Sequence, residues 1–208
     1  MKSEIRGILE NGSISEKINL IEFYDIDNYT EREYVVDYIK KESIRPIDDW
    51  LKISLIDLAA RLKINDIKLL NNYLSYLGSG YSYYLKLTVL DYAGYMYESY
   101  KSEKINYCFI EALLSSNYDR LVVKIQASLI LILIYPGRII FYMERIKKYL
   151  KRSEDYRAHI RLYNSFMNID CRIPKSYIED LMLITEQKSL SSSKAVKSTL
   201  VEMKRSLV

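Results

Sequence analysis

Asp57 and Asp91 hold matching places in two similar stretches, WLKISLIDLAARL at 50–62 and YLKLTVLDYAGYM at 84–96, thirty-four residues apart. Glu202 falls at the same place in a later copy. Paired carboxylates can divide general acid and base work between them. Neighbouring helices pack roughly 10 Å apart, a spacing that does not forbid an inverting hydrolase, whose carboxyls stand apart to admit a water. No substrate-binding motif accompanies the pair, and the plainer reading is pairing with Arg61 or contact with nearby lysines. His159 is the single histidine. A catalytic histidine needs a nucleophile and an orienting acid, but Ser165, six residues on, falls on the far side of a helix. A surface or interface position is therefore expected for His159. No GxGxxG, P-loop, HExxH or GxSxG run occurs. Cys108 and Cys171 lie 63 residues apart without CxxC spacing. With one histidine they predict free thiols in a reducing compartment, not a zinc site. These residues point away from catalysis, metal and cofactor.

Binding chemistry has more candidates. Lys52, Lys86, Lys124, Arg157 and Lys197 recur at one place in five stretches. Such a ladder could track phosphate, or it could bond turn carbonyls and acids within the fold. The chain has 21 tyrosines against four phenylalanines and one tryptophan. Tyrosine offers rigid area plus a hydroxyl, which suits protein interfaces; it also stacks on single-stranded bases, and it fills interhelical layers with its hydroxyl at the rim. Net charge is +4 over 208 residues, with the 27 acids spread along the chain. That is well short of a charge-driven nucleic-acid binder.

The elements that must position these residues read as helices. Hydrophobic content of 49% can bury a core, and six glycines with three prolines are too few for an all-β chain. The first residues hold acids and no apolar run, so no secretory leader is expected. LILILIY at 129–135 is too short to span a bilayer and predicts a helix buried on all sides. The chain is expected to be soluble and cytoplasmic, with no membrane partner.

In chain order, residues 1–29 predict two short helices, the second opened by a capping box over Ser13 to Glu16. Together they would cap an array of helix pairs over about 30–63, 64–101, 102–136, 137–170 and 171–208. Thr30 is the expected cap of the first long helix, and Asp48 or Asp49 of the next. The second helices are expected over about 49–62, 82–100, 119–135, 154–168 and 192–207. Numbered from the residue before the basic one, their positions 1, 5, 8 and 12 are apolar in all five copies, for example Leu58, Tyr92, Ile130, Tyr163 and Met203 at position 8. Those positions share one face of a helix. A period of this length marks a helical repeat array.

An acidic or polar turn, an aliphatic-basic pair such as Leu51-Lys52 or Val123-Lys124, and the small pair Ala93-Gly94 near the helix end resemble the HEAT repeat over about 30–207. The chain departs from that pattern in using Lys where Arg is usual, and in placing Tyr92 and Tyr163 at core positions. The resemblance implies an all-α, right-handed α-solenoid of about five HEAT-like helix pairs forming one domain, and a binding surface without catalytic residues. The partner-facing groove is then expected at Trp50, Ser54, Asp57 and Arg61; at Tyr84, Thr88, Asp91 and Tyr95; and at Gln126 and His159 with the leucines beside them. Small size, an AT-rich composition and this aromatic surface resemble bacterial toxin-immunity proteins, which imply a cognate toxin domain as partner. An alternative resemblance is to alkylpurine DNA glycosylases of the HEAT type, which would cast Asp91, Tyr84, Tyr95 and Trp50 against a lesion.

Overall fold

Local capping chemistry sets several helix starts in the computed structural model, which describes residues 4–25, 27, 29–99, 105–168, 173–188 and 193–207. Among these residues the structure is all-helical, with no strand. The helices are α1 (Glu4–Asn11), α2 (Ile14–Glu22), α3 (Tyr29–Glu42), α4 (Asp49–Arg61), α5 (Ile67–Leu74) continued by a 3-10 turn at Ser75–Leu77, and α6 (Tyr83–Ser99). There follow α7 (Cys108–Ser115), α8 (Leu121–Ile134), a 3-10 turn at Pro136–Arg138, α9 (Ile139–Arg152), α10 (Tyr156–Asn168), α11 (Lys175–Glu186) and α12 (Lys194–Leu207).

Ser13 opens α2 through the expected capping box. Its hydroxyl accepts from the Glu16 N–H, and the Glu16 carboxylate accepts from the Ser13 N–H at 2.7 Å. Asp48, not Asp49, caps α4, accepting from the Trp50 N–H at 2.8 Å. α3 begins at Tyr29, so Thr30 lies within the helix and is not its cap. α7 begins at Cys108, later than the expected Glu103. Cys171, Tyr100 and Glu103 lie outside the described residues.

The chain forms two compact units, Met1–Phe109 and Ile110–Val208. In the first, α4 packs between α2 and α6, α5 packs on α6, and α3 packs on α4 and α1. Polar bonds fix these contacts. The Arg32 guanidinium donates to the Leu62 carbonyl at 2.9 Å, and Lys40 pairs with Asp66 at 3.0 Å. Lys63 takes the left-handed conformation (φ 53°) and the Ile64 N–H returns to the Ala59 carbonyl at 3.0 Å, which closes α4 sharply.

In the second unit α8 packs against α9 and α10, α10 packs on α12, and α11 packs on α9. At the end of α8 the apolar run LILILIY is buried at Leu129, Ile130, Leu131 and Ile132 and half-buried at Leu133, Ile134 and Tyr135, so the expected burial on all sides holds for its first four residues. α8 spans 14 residues, and no described helix is long and apolar enough to cross a membrane.

Position 8 is the centre of the repeated face, and its residue is buried in all five copies. The two tyrosines that depart from the HEAT pattern there have a structural reason. The Tyr92 hydroxyl donates to the Ile64 carbonyl at 2.7 Å, and the Tyr163 hydroxyl donates to the Leu181 carbonyl at 2.7 Å. Each satisfies a backbone acceptor that no phenylalanine could reach, and burial raises both phenols well above the ordinary value. Tyr92→Phe is expected to cost about 1 kcal/mol in a urea titration, the worth of one buried hydrogen bond. An unchanged midpoint would show that this bond contributes nothing.

Candidate functional site

The thirty-four-residue offset lays α4 and α6 side by side with matching residues adjacent. Trp50 and Tyr84 lie one offset apart. Their ring centroids stand 5.6 Å apart with a 35° tilt, and both rings remain open to solvent, Trp50 at 58% and Tyr84 at 42%. Tyr83 extends the cluster, its ring 4.0 Å from that of Tyr84. These rings precede the buried stripe that begins at Leu51 and Leu85, so burial of the stripe leaves them outside.

One turn further along, the Thr88 hydroxyl donates to the Tyr84 carbonyl at 3.1 Å, while Ser54 is buried beneath the surface. Asp57 and Asp91 follow, both exposed. Surrounding protein raises the Asp57 carboxyl above its ordinary value, the Asp91 carboxylate raises it further, Arg61 opposes them, and Glu22 adds to them. Water reaches this carboxylate, and neighbouring protein still crowds it. Its like-charged neighbours cost stability that a neutral side chain would spare. Asp57→Asn is expected to raise the thermal midpoint by roughly 1–3 °C, a few tenths of a kcal/mol after screening by solvent. A lowered midpoint in a thermal melt would contradict the repulsion.

At the far end of the face, Arg61 donates to the Ile21 and Glu22 carbonyls at the C-terminus of α2, where the helix dipole favours a cation. Tyr95 is half-buried, its ring 6.3 Å from that of Tyr92. The α4–α6 face therefore grades from aromatic to acidic over about 10 Å of helix. Ring faces attract cations, and carboxylates accept from lysine or arginine. Among the described residues no three His, Cys, Asp or Glu side chains gather to hold a metal ion. The face thus joins exposed rings at one end to two carboxylates at the other.

Two of the sequence-predicted residues lie elsewhere. Gln126 is buried, its side-chain oxygen accepting from the Ser165 hydroxyl at 3.4 Å. His159 is fully buried, at 0% exposure, which corrects the expected surface position. Its Nδ1 lies 2.8 Å from the Thr185 hydroxyl, and its Nε2–H donates to the Ser153 carbonyl at 3.3 Å. The reason is packing. α10 is sandwiched between α8 and α12, so positions read as a groove meet neighbouring helices instead. The register of α10 also differs. Tyr156 and Met167, expected in the core, are exposed at 40% and 37%, while Ala158, His159, Leu162, Tyr163 and Phe166 are buried. Ser165 and His159 make no dyad, since Ser165 bonds to Gln126.

The basic ladder turns inward where it begins. Lys52 is buried, with its ammonium 3.4 Å from an Asp49 carboxylate oxygen and near the rings of Tyr76 and Tyr81 at 5.0 and 4.8 Å. Lys86 is buried as well. Lys124 donates to the Ser116 carbonyl in the turn before α8. Only Arg157 and Lys197 are exposed. The aromatic partners of Lys52 were missed in the sequence because Tyr76 and Tyr81 belong to the turn after α5; the run of tyrosines near a basic position was the available signal.

A separate cavity of about 360 Å³ lies within the first unit, lined by residues including Tyr34, Tyr38, Lys41 and Arg45. Desolvation pushes the Tyr38 phenol up to about 12. Two of the acids of this cavity are engaged locally: Tyr34 donates to Glu10 at 3.0 Å, and Arg45 pairs with Glu42 at 2.8 Å. No protein-family model matches the chain, and no curated protein or solved structure is significantly similar to it.

Proposed function

We propose that the chain is a HEAT-like α-solenoid of about five helix pairs, acting without catalysis as a protein-binding module. In this reading it is an immunity protein that neutralises a cognate bacterial toxin by covering the toxin's active site. The solenoid reading is supported by α2, α4 and α6 packing in sequence within one unit, and by α8, α10 and α12 within the other. The binding reading rests on one observation above all: Trp50 and Tyr84 stay exposed with their rings in tilted contact, on the same face that carries Asp57 and Asp91 two turns further along. Tryptophan and tyrosine dominate binding hot spots. An acidic rim selects a partner with a basic surface, so the local charge of this face, not the net charge of +4, governs complementarity. A nuclease-like toxin with a basic cleft meets that requirement. The DNA-binding alternative is less favoured, because Lys52 and Lys86 are folded into the protein and leave the candidate face short of cations.

The test is copurification of the tagged chain with the products of adjacent genes, followed by assay of the captured protein alone and in complex. A stoichiometric complex of nanomolar affinity that silences a toxic activity is the expected outcome. Full activity in the complex, or steeply salt-dependent duplex binding with no protein partner, would remove this reading.

A further inference from the structure

The exposed side of α9 carries a feature that the α4–α6 face does not use. Phe141, Arg145, Lys148 and Arg152 recur at i, i+4, i+7 and i+11, which aligns them in one stripe along the helix. The opposite side, with Tyr142, Met143, Ile146 and Tyr149, is buried. On the flank, Lys147 is tied to Asp180 of α11 at 2.7 Å. Arg145, Lys148 and Arg152 have no acidic partner among the described residues, and Glu144 is the one acid on the helix. The Arg145 guanidinium instead lies over the Phe141 ring, 4.7 Å from its centroid. At the start of the stripe, Ile140 and Phe141 are 61% and 51% exposed, directly after the exposed turn Pro136–Arg138.

We infer that this stripe is a peripheral docking surface for an anionic membrane, with Ile140 and Phe141 entering the headgroup layer and Arg145, Lys148 and Arg152 pairing with lipid phosphates. The observation that selects lipid is the joining of two chemistries at one helix start: Phe141 stands on the line of cations, and the exposed Ile140 adjoins it at the turn. Cations alone would suit any polyanion. A duplex backbone, however, offers no apolar layer for an exposed isoleucine and phenylalanine at a turn, whereas a bilayer interface receives both. Such contact needs no spanning helix. It therefore departs from the expectation of no membrane partner, which considered spanning segments. Arginine over an aromatic ring also suits an interface, since the ring enters the apolar layer and the guanidinium reaches phosphate.

The experiment mixes the full chain with phosphatidylcholine vesicles, and with vesicles in which about a third of the lipid is phosphatidylglycerol. Cosedimentation with the anionic vesicles alone, lost at high salt, is expected. The triple charge reversal Arg145→Glu, Lys148→Glu, Arg152→Glu should lower partitioning at least tenfold, with the circular dichroism spectrum unchanged. Phe141→Trp, placed in a Trp50→Phe background, should shift its emission to the blue when anionic vesicles are added. The proposal fails if the wild-type chain ignores anionic vesicles, if the reversed variant partitions equally well, or if the new tryptophan does not shift. It is also overturned if the wild-type chain binds a duplex oligonucleotide through these cations while leaving vesicles alone. That result would assign the stripe to nucleic acid.

Discussion

Replacing Trp50 with alanine is expected to weaken partner binding about thirtyfold, roughly 2 kcal/mol, and to move the thermal midpoint by no more than about 2 °C. The two halves of this result have separate causes. Stability changes little because the indole is 58% exposed and leaves no cavity when removed. Affinity falls because the ring is the largest exposed aromatic surface on the face, held by its contact with Tyr84 and so already ordered before binding. Tyr84→Ala should cost somewhat less. The double variant should cost less than the sum, with a coupling of about 0.5–1.5 kcal/mol, because each ring positions the other. Calorimetric titration of the copurified partner measures all three. Strict additivity would mean the rings act apart, and wild-type affinity in Trp50→Ala would remove α4–α6 as the docking face. Neutralising Asp57 and Asp91 together should mainly slow association and flatten its salt dependence, as expected for charges at a rim.

The fold was more legible in the sequence than the site, and particular residues explain why. Ser13 with Glu16, and Asp48, each announce a helix start through chemistry confined to a few residues. Position 8 was readable because its residue is buried in every copy, so the apolar pattern repeats without exception. The aromatic-to-acidic face of α4 and α6 was readable because a thirty-four-residue offset on adjacent helices brings equal positions together. The same rule misled in α10. There the match between Arg157 and Lys52 set the register, but burial of Ala158, His159 and Leu162 shows that a different stripe faces inward. One basic residue cannot fix a register when the flanking positions are mixed, as Tyr156, Ile160 and Tyr163 are. His159 was misread for a related reason. Its partner Thr185 lies 26 residues away on α11, and nothing local in the sequence signals a bond to it.

That buried histidine gives the second large effect. Desolvation holds His159 below its ordinary value of 6.5 in the folded chain, and the Lys188 ammonium pushes the same way. Its Ser153 carbonyl bond and the nearby Asp155 and Glu154 carboxylates oppose this, and Glu154 is itself paired with Lys188 at 3.0 Å. The Thr185 hydroxyl bonded to the ring is neutral, as is the Tyr163 hydroxyl 2.5 Å from it. Between the ordinary value and the lowered one, the unfolded chain takes up a proton that the folded chain refuses. Stability is therefore complete above about pH 6.5 and falls as pH drops, by up to about 1.4 kcal/mol per unit for this one group. His159→Leu removes the titration. At pH 7.5 the variant should be less stable by about 1 kcal/mol, because the Ser153 carbonyl loses a donor. Thr185 is spared, since its hydroxyl can still donate to the Leu181 carbonyl at 3.1 Å. As pH falls below about 6.5 the wild-type chain should lose part of that lead, and the two stability curves should converge. Comparing the two chains at each pH cancels the carboxylates they share, including Asp57, whose raised value acts in the opposite direction. Urea titrations at stepped pH give the difference, and amide hydrogen exchange in α10 and α11 locates it. Two parallel stability curves would show that His159 carries no proton-linked cost.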